Sequence, residues 1–181
     1  MKIRSLQMWV AIAVASWSAA GNAHSAENAL ADGSATLAEA MQAQRRLAKQ
    51  NAPIRSQQLL AEYLVSQGSR GASPIDALSP SSRERFIRSL QFNANGLASF
   101  YYADIERELP LAEAYRLLAL FGVQHTVGLF DRPRIVTLSD KDIQTAFSSA
   151  PQMMKEDHTQ YWCSGRATCS SMAGSICMSG C

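Results

Sequence analysis

Cysteine is missing from this chain of 181 residues until Cys163, histidine occurs only three times, and neither sign of charge is in excess, with 17 Lys and Arg against 15 Asp and Glu. Each shortage excludes something. Without cysteines along most of its length the chain must be held by an apolar core, and a hydrophobic fraction of 47% is enough to build one. Without a basic excess it lacks the electrostatic footprint of a nucleic-acid binder. The charges are too balanced and the apolar content too high for a disordered chain.

Long apolar runs are also scarce, and the strongest one opens the sequence. Lys2 and Arg4 form a positive start, Ser5 through Ala23 are uncharged, and the apolar centre runs from Met8 to Ala15. This three-part pattern predicts a secretory signal peptide over residues 1–23, cut after Ala23 where Gly21-Asn22-Ala23 supplies small residues at −3 and −1. The apolar centre is well short of the ~20 residues a membrane span requires, so no span is expected after cleavage. The alanine-rich centre looks bacterial, which places the protein in the periplasm or outside the cell. Lys2 and Arg4 are the only charges in the signal, so cleavage leaves 17 − 2 = 15 basic residues against 15 acidic ones, a formally neutral protein.

Beyond the signal, the spacing predicts a mainly α fold of about five helices over residues 36–150, preceded by a flexible leader at 24–35. Thr36 and Glu39 form a capping box, and Leu37, Ala40, Met41, Leu47 and Ala48 follow helical spacing, with Arg45, Arg46 and Lys49 near the end where the helix dipole favours cations. Pro53 opens the next helix, which stops at Gly68, and a loop runs to Pro74. Ser79-Pro80 starts a third, whose Arg83, Arg85 and Arg88 read as a solvated face rather than an anion patch. Pro110 opens the most strongly patterned helix, closed by Gly122, and Ser139 caps the last, ended by Pro151. Gln124–Phe130 reads as extended. Strands compete in one place, near 89–101, where Asn95-Gly96 suits a β-hairpin turn.

Residues 151–181 differ in kind. From His158 onward the only charge is Arg166, and Cys163, Cys169, Cys177 and Cys181 are interspersed with serine and glycine. Such a composition predicts an irregular tail pinned by two disulfides in an oxidising compartment. Three connectivities are open; the reading leans to the nested one, Cys163 with Cys181 and Cys169 with Cys177. A metal site is the weaker alternative. His158, Met172, Met178 and the pair Met153-Met154 are soft or borderline donors suited to copper, but the compact Cys-x-x-Cys knuckles of zinc sites are absent, so no metal is expected.

Catalytic signatures are also lacking: there is no Gly-x-Ser-x-Gly, no phosphate-cradling glycine loop and no His-Glu-x-x-His, and no cofactor is implied. His125 and His158 remain as weak acid–base candidates, the latter beside Glu156 and Asp157. Glu106 and Glu108, two apart, diverge on a helix and do not make a glycosidase pair. The sequence therefore points to an exported, non-enzymatic binding or accessory protein with a protein partner. A small secreted hydrolase using His125 or His158 is the alternative, and metal binding through cysteine and methionine a weaker one.

Overall fold

The computed structural model describes residues 22–66, 73–148 and 157–181, with side chains from Thr36 onward. Most of the expected signal segment, residues 1–21, the loop after residue 66, Pro151 and Met153-Met154 lie outside the described residues. The chain divides into two units at Leu37/Ala38. In the first, the described residues are the opening part of helix α1 (Asn22–Asn51); the second, Ala38–Cys181, holds the remainder. Helix α1 thus begins ahead of the Thr36 capping box, in a stretch of small residues that tolerate helical geometry without signalling it.

The second unit continues with α2 (Gln57–Ser66), a 3-10 turn (Pro74–Ala77), α3 (Pro80–Ser89), β1 (Gln91–Asn93) and β2 (Gly96–Tyr101). Then come α4 (Ala103–Glu108), α5 (Leu111–Ala119), a 3-10 segment (Gln124–Leu129), α6 (Leu138–Ser148), β3 (His158–Gly165) and β4 (Thr168–Cys177). The strands form one antiparallel sheet in the order β1-β2-β4-β3.

This corrects the expected mainly α fold with an irregular tail: the protein is mixed α/β, and the tail is half of its sheet. The hairpin near 89–101 does not stand alone on helices, because β4 pairs beside β2 with Ser99 opposite Cys177 and Phe100 opposite Ile176. Two properties hid these strands. Serine, glycine and cysteine carry little strand propensity, and β3 and β4 alternate only weakly in polarity because much of the hairpin is exposed on both faces. The segment also contributes to the core, since Ile176, Cys177 and Met178 are fully buried.

Strand β2 is central, buried from Gly96 through Phe100. Phe86 of α3 meets Phe100 and Phe121 edge-on, at centroid distances of 6.2 and 5.7 Å, while Ile105, Leu117, Leu118 and Ile176 close around them. The hairpin turn is Ala94-Asn95, and the positive φ falls on Gly96 at +103°, which opens β2 opposite Asn93; the register shift of this pair lies further along, between Gln91 and Phe92. The Asn93 side chain accepts from the Asn95 amide at 2.8 Å and braces the turn.

Several boundaries move for local reasons. Ser56, not Pro53, starts α2, its hydroxyl accepting from the Leu59 amide, while Ile54 is buried at the joint with its amide on the Leu120 carbonyl. Thr137 and Asp140 form the reciprocal cap of α6, replacing Ser139 and Asp142. Burial pushes the Asp140 carboxyl up, but the amides of Ala112, Val136 and Thr137 outweigh it and hold it down at about 2. Gln124–Leu129 coils into a 3-10 segment instead of extending. Gly122, at φ +69°, ends α5 as expected, and a Cβ there would strike the backbone of α1 at Ala48 and Lys49.

Candidate functional site

Helix α1 reaches the second unit with one polar stripe. Gln42, Arg45, Arg46, Lys49 and Gln50 recur at three and four, so they share a face. That face lines a cleft of about 670 Å3. The opposite wall comes from the joint and first turn of α2, where Arg55, Ser56 and Leu59 face in, and Arg55 also donates to the Gln50 carbonyl at 3.0 Å. The hairpin turn at Ala94–Gly96 closes another side, and His125 and Ser179 complete it. Among the described residues, four cationic ones and no acidic one line this cleft.

Beneath it lies a buried polar link. His125 Nε2 is 2.9 Å from Asp157 Oδ2, the other Asp157 oxygen accepts from the Ser179 amide at 2.9 Å, and Arg45 Nη1 is 3.9 Å away. Burial, the Asp157 contact notwithstanding, pushes the His125 pKa below its ordinary value. Burial would raise the Asp157 carboxyl, yet the hydrogen bond from His125, the Ser179 amide and Arg45 together hold it below the usual carboxylate range. At neutral pH the pair is therefore a neutral imidazole donating from Nε2 to a carboxylate. Asp157 thus orients two cleft residues, His125 and Arg45, at once.

The cysteines fix the rim. Cys163 is bonded to Cys181 and Cys169 to Cys177, the nested order, and Cys163 and Cys169 face each other across β3 and β4. The first bridge folds the chain end back against the Gly165 and Thr168 carbonyls, and the Asn93 side chain donates to the Gly180 carbonyl beside the hairpin turn. Ser179 is held at the cleft by these neighbours. The sulfurs of Cys169, Cys177 and Cys181 lie within 4.8 Å of one another, a proximity that sequence spacing does not reveal. As disulfides they carry no thiolate for a metal ion.

The structure separates the other candidates. His158 is exposed and edge-on to Tyr161 at 6.1 Å, turned away from Asp157, which points inward to His125. Glu108 is taken by Ser79 and Ser82, and Glu106 accepts from the Arg132 amide at 2.5 Å. Arg83, Arg85 and Arg88 are paired with Asp76, Asp104 and Glu84. Sequence reasoning missed Asp157 as the partner of His125, since nothing local joins residues 32 apart. It also assigned the α1 cations to the helix dipole alone, although their three-and-four spacing was on view. Compared with known proteins, the chain matches no family model, no curated protein and no solved structure.

Proposed function

We propose that this is an exported, non-enzymatic binding protein of the bacterial periplasm or exterior, whose ligand enters the cleft between α1, α2 and the hairpin turn. The observation that carries the reading is the cleft itself. Its volume falls within the few hundred to a thousand Å3 usual for ligand sites, and its walls come from separate parts of the chain that disulfides and buried polar contacts hold in place. Two disulfides are consistent with an oxidising compartment. No helix among the described residues is long and apolar enough to cross a membrane.

The test is a thermal-shift screen of the oxidised protein against chemically diverse small molecules, repeated with Ser179→Trp to fill the cleft. Ligands that raise the melting temperature of the parent and not of the filled variant support the reading. A screen without ligands, or equal shifts in both proteins, contradicts it. Intact-mass measurement of the exported protein accompanies this: cleavage after Ala23 and a gain of four hydrogens on reduction are expected.

A hydrolase is the second reading, favoured by the buried carboxylate that orients His125 at the cleft. It requires turnover of a chromogenic ester that His125→Gln abolishes and His158→Gln spares. Absence of turnover in the parent protein removes it.

A further inference from the structure

The charge of the cleft is out of proportion to that of the protein. Past the signal the chain carries 15 basic and 15 acidic residues, yet Arg45, Arg46, Lys49 and Arg55 converge on one cavity whose lining, among the described residues, has no carboxylate. Elsewhere Arg83, Arg85, Arg88, Arg107 and Arg116 each have an acidic partner within 4.0 Å, while Arg132, Arg134, Lys141 and Arg166 form no ion pair among the described residues and lie outside this lining. Arg46 and Arg55 have none among the described residues, and Arg45 shares the buried Asp157 with His125. Arg46 and Arg55, facing one cleft without an ion-pair partner among the described residues, repel one another, and a bound anion relieves that repulsion.

The geometry points to a small, multiply charged anion bearing phosphate or carboxylate groups as the ligand of this cleft. The inference rests on the binding-protein reading and names its ligand class. Three of the four cations are arginines, whose planar fork matches two oxygens of a carboxylate or phosphate at once. Gln42, Gln50, Ser56 and Asn95 add neutral polar groups to the same walls. Size separates a small ligand from an acidic polymer. The stripe from Gln42 to Gln50 spans about 12 Å along the helix at 1.5 Å per residue. One turn before it on the same face stands the exposed Glu39, and beyond Leu59 on α2 stands the exposed Glu62, so the positive zone ends in carboxylates at both sides. A long anionic track would need the cations to continue.

Amide chemical-shift titration of the oxidised full chain tests this, with inorganic pyrophosphate and citrate as probes. Saturable shifts at Arg46, Lys49 and Asn95 are expected, weakened about tenfold or more in Arg46→Glu and in Arg55→Gln, weakened by added salt, and unchanged in Arg88→Gln. Unaltered circular dichroism of the variants establishes that they fold. Equal affinity in parent and Arg46→Glu, or no saturable shift up to roughly millimolar probe, overturns the inference, as does binding of hexaglutamate alone. Binding to phosphatidylglycerol vesicles without binding of either soluble anion assigns the charge to a membrane surface and overturns the small-ligand assignment. A neutral disaccharide that shifts the same residues when the anions do not would refute the anionic class and leave the binding-protein reading standing.

Discussion

Strand β4 is held at its two ends by different forces. Its last residues, Ser175 to Cys177, pair with β2 and are buried in the core, and Ile176 packs among Phe100, Leu117 and Leu118. Its first six, Thr168 to Ala173, pair only with β3, are exposed or half-buried, and include Met172 at 43% exposure. The packed end anchors the cross-links: one bridge runs from the buried Cys177 out to Cys169 in the exposed half. In that half, where packing is thin, Cys163–Cys181 and Cys169–Cys177 supply the constraint, and a closed loop of the larger size stabilises by about 3 kcal/mol in the loop-entropy treatment. One strand thus joins a hydrophobically folded body to a covalently folded hairpin.

That contrast is broken most severely from the packed side. Phe100→Ala removes a fully buried ring that touches Phe86, and should lower global stability by about 3–5 kcal/mol, read by chemical denaturation. Ile176→Ala should cost about 2–5 kcal/mol, and it should expose both β2 and β4 to hydrogen exchange, because Ile176 is where the tail enters the core. Removing the outer bridge by Cys163→Ser with Cys181→Ser should cost at most about 3 kcal/mol. The loss should be local: amides of β3, of the outer half of β4 and of Ser179 exchange faster, and those of α5 do not. Equal acceleration in α5 would mean that the hairpin is not a separate stability unit.

Acid should act on the packed body and not on the hairpin, in two windows. Burial raises the Glu108 carboxyl, but the hydroxyl of Ser82, the amide and hydroxyl of Ser79 and the guanidinium of Arg107 hold it at about 2, as the amides around Asp140 hold that group. Both folded values lie below the ordinary 4.5 and 3.8, so the unfolded chain takes up protons first. Their stabilisation is complete above about pH 4.5 and is lost as pH falls from there to about 2. His125 acts earlier and by less. Its folded pKa is lowered from 6.5, so it too favours the folded chain above that value, and stability declines as pH falls below the ordinary histidine range. Denaturation midpoints across pH should fall in two steps; His125→Gln should remove the upper one and, because His125 also holds the Asp157 carboxyl down, make the lower one shallower.

How much of this was written in the sequence depends on the distance over which each signal acts. Local signals were legible: the glycine that ends α5, the hairpin around Asn95-Gly96, the helical spacing of Leu111, Ala114 and Leu118. Signals satisfied by distant partners were not. Thr137 and not Ser139 caps α6 because Asp140 must also receive the Ala112 amide from another helix. The strands of the tail were hidden because their pairing with β2 is the reason they are strands, and serine-rich sequence does not announce it. Leu47, which follows the helical spacing of the apolar residues in α1, is 56% exposed. The cleft divides in the same way: its α1 stripe could be read from periodicity, whereas the Asp157–His125 link and the return of Ser179 depend on tertiary contacts and on which cysteines bond.

The central claim is that the cross-linked tail completes an anion-binding cleft on the helical body. Pyrophosphate titration of the oxidised protein, followed at the Arg46 and Ser179 amides and repeated with Cys163→Ser/Cys181→Ser, tests it most directly. Saturable shifts at both positions in the parent, with affinity reduced several-fold when the bridge is removed, are predicted. Identical affinity with and without the bridge, or shifts at Arg46 that never extend to Ser179, would contradict it.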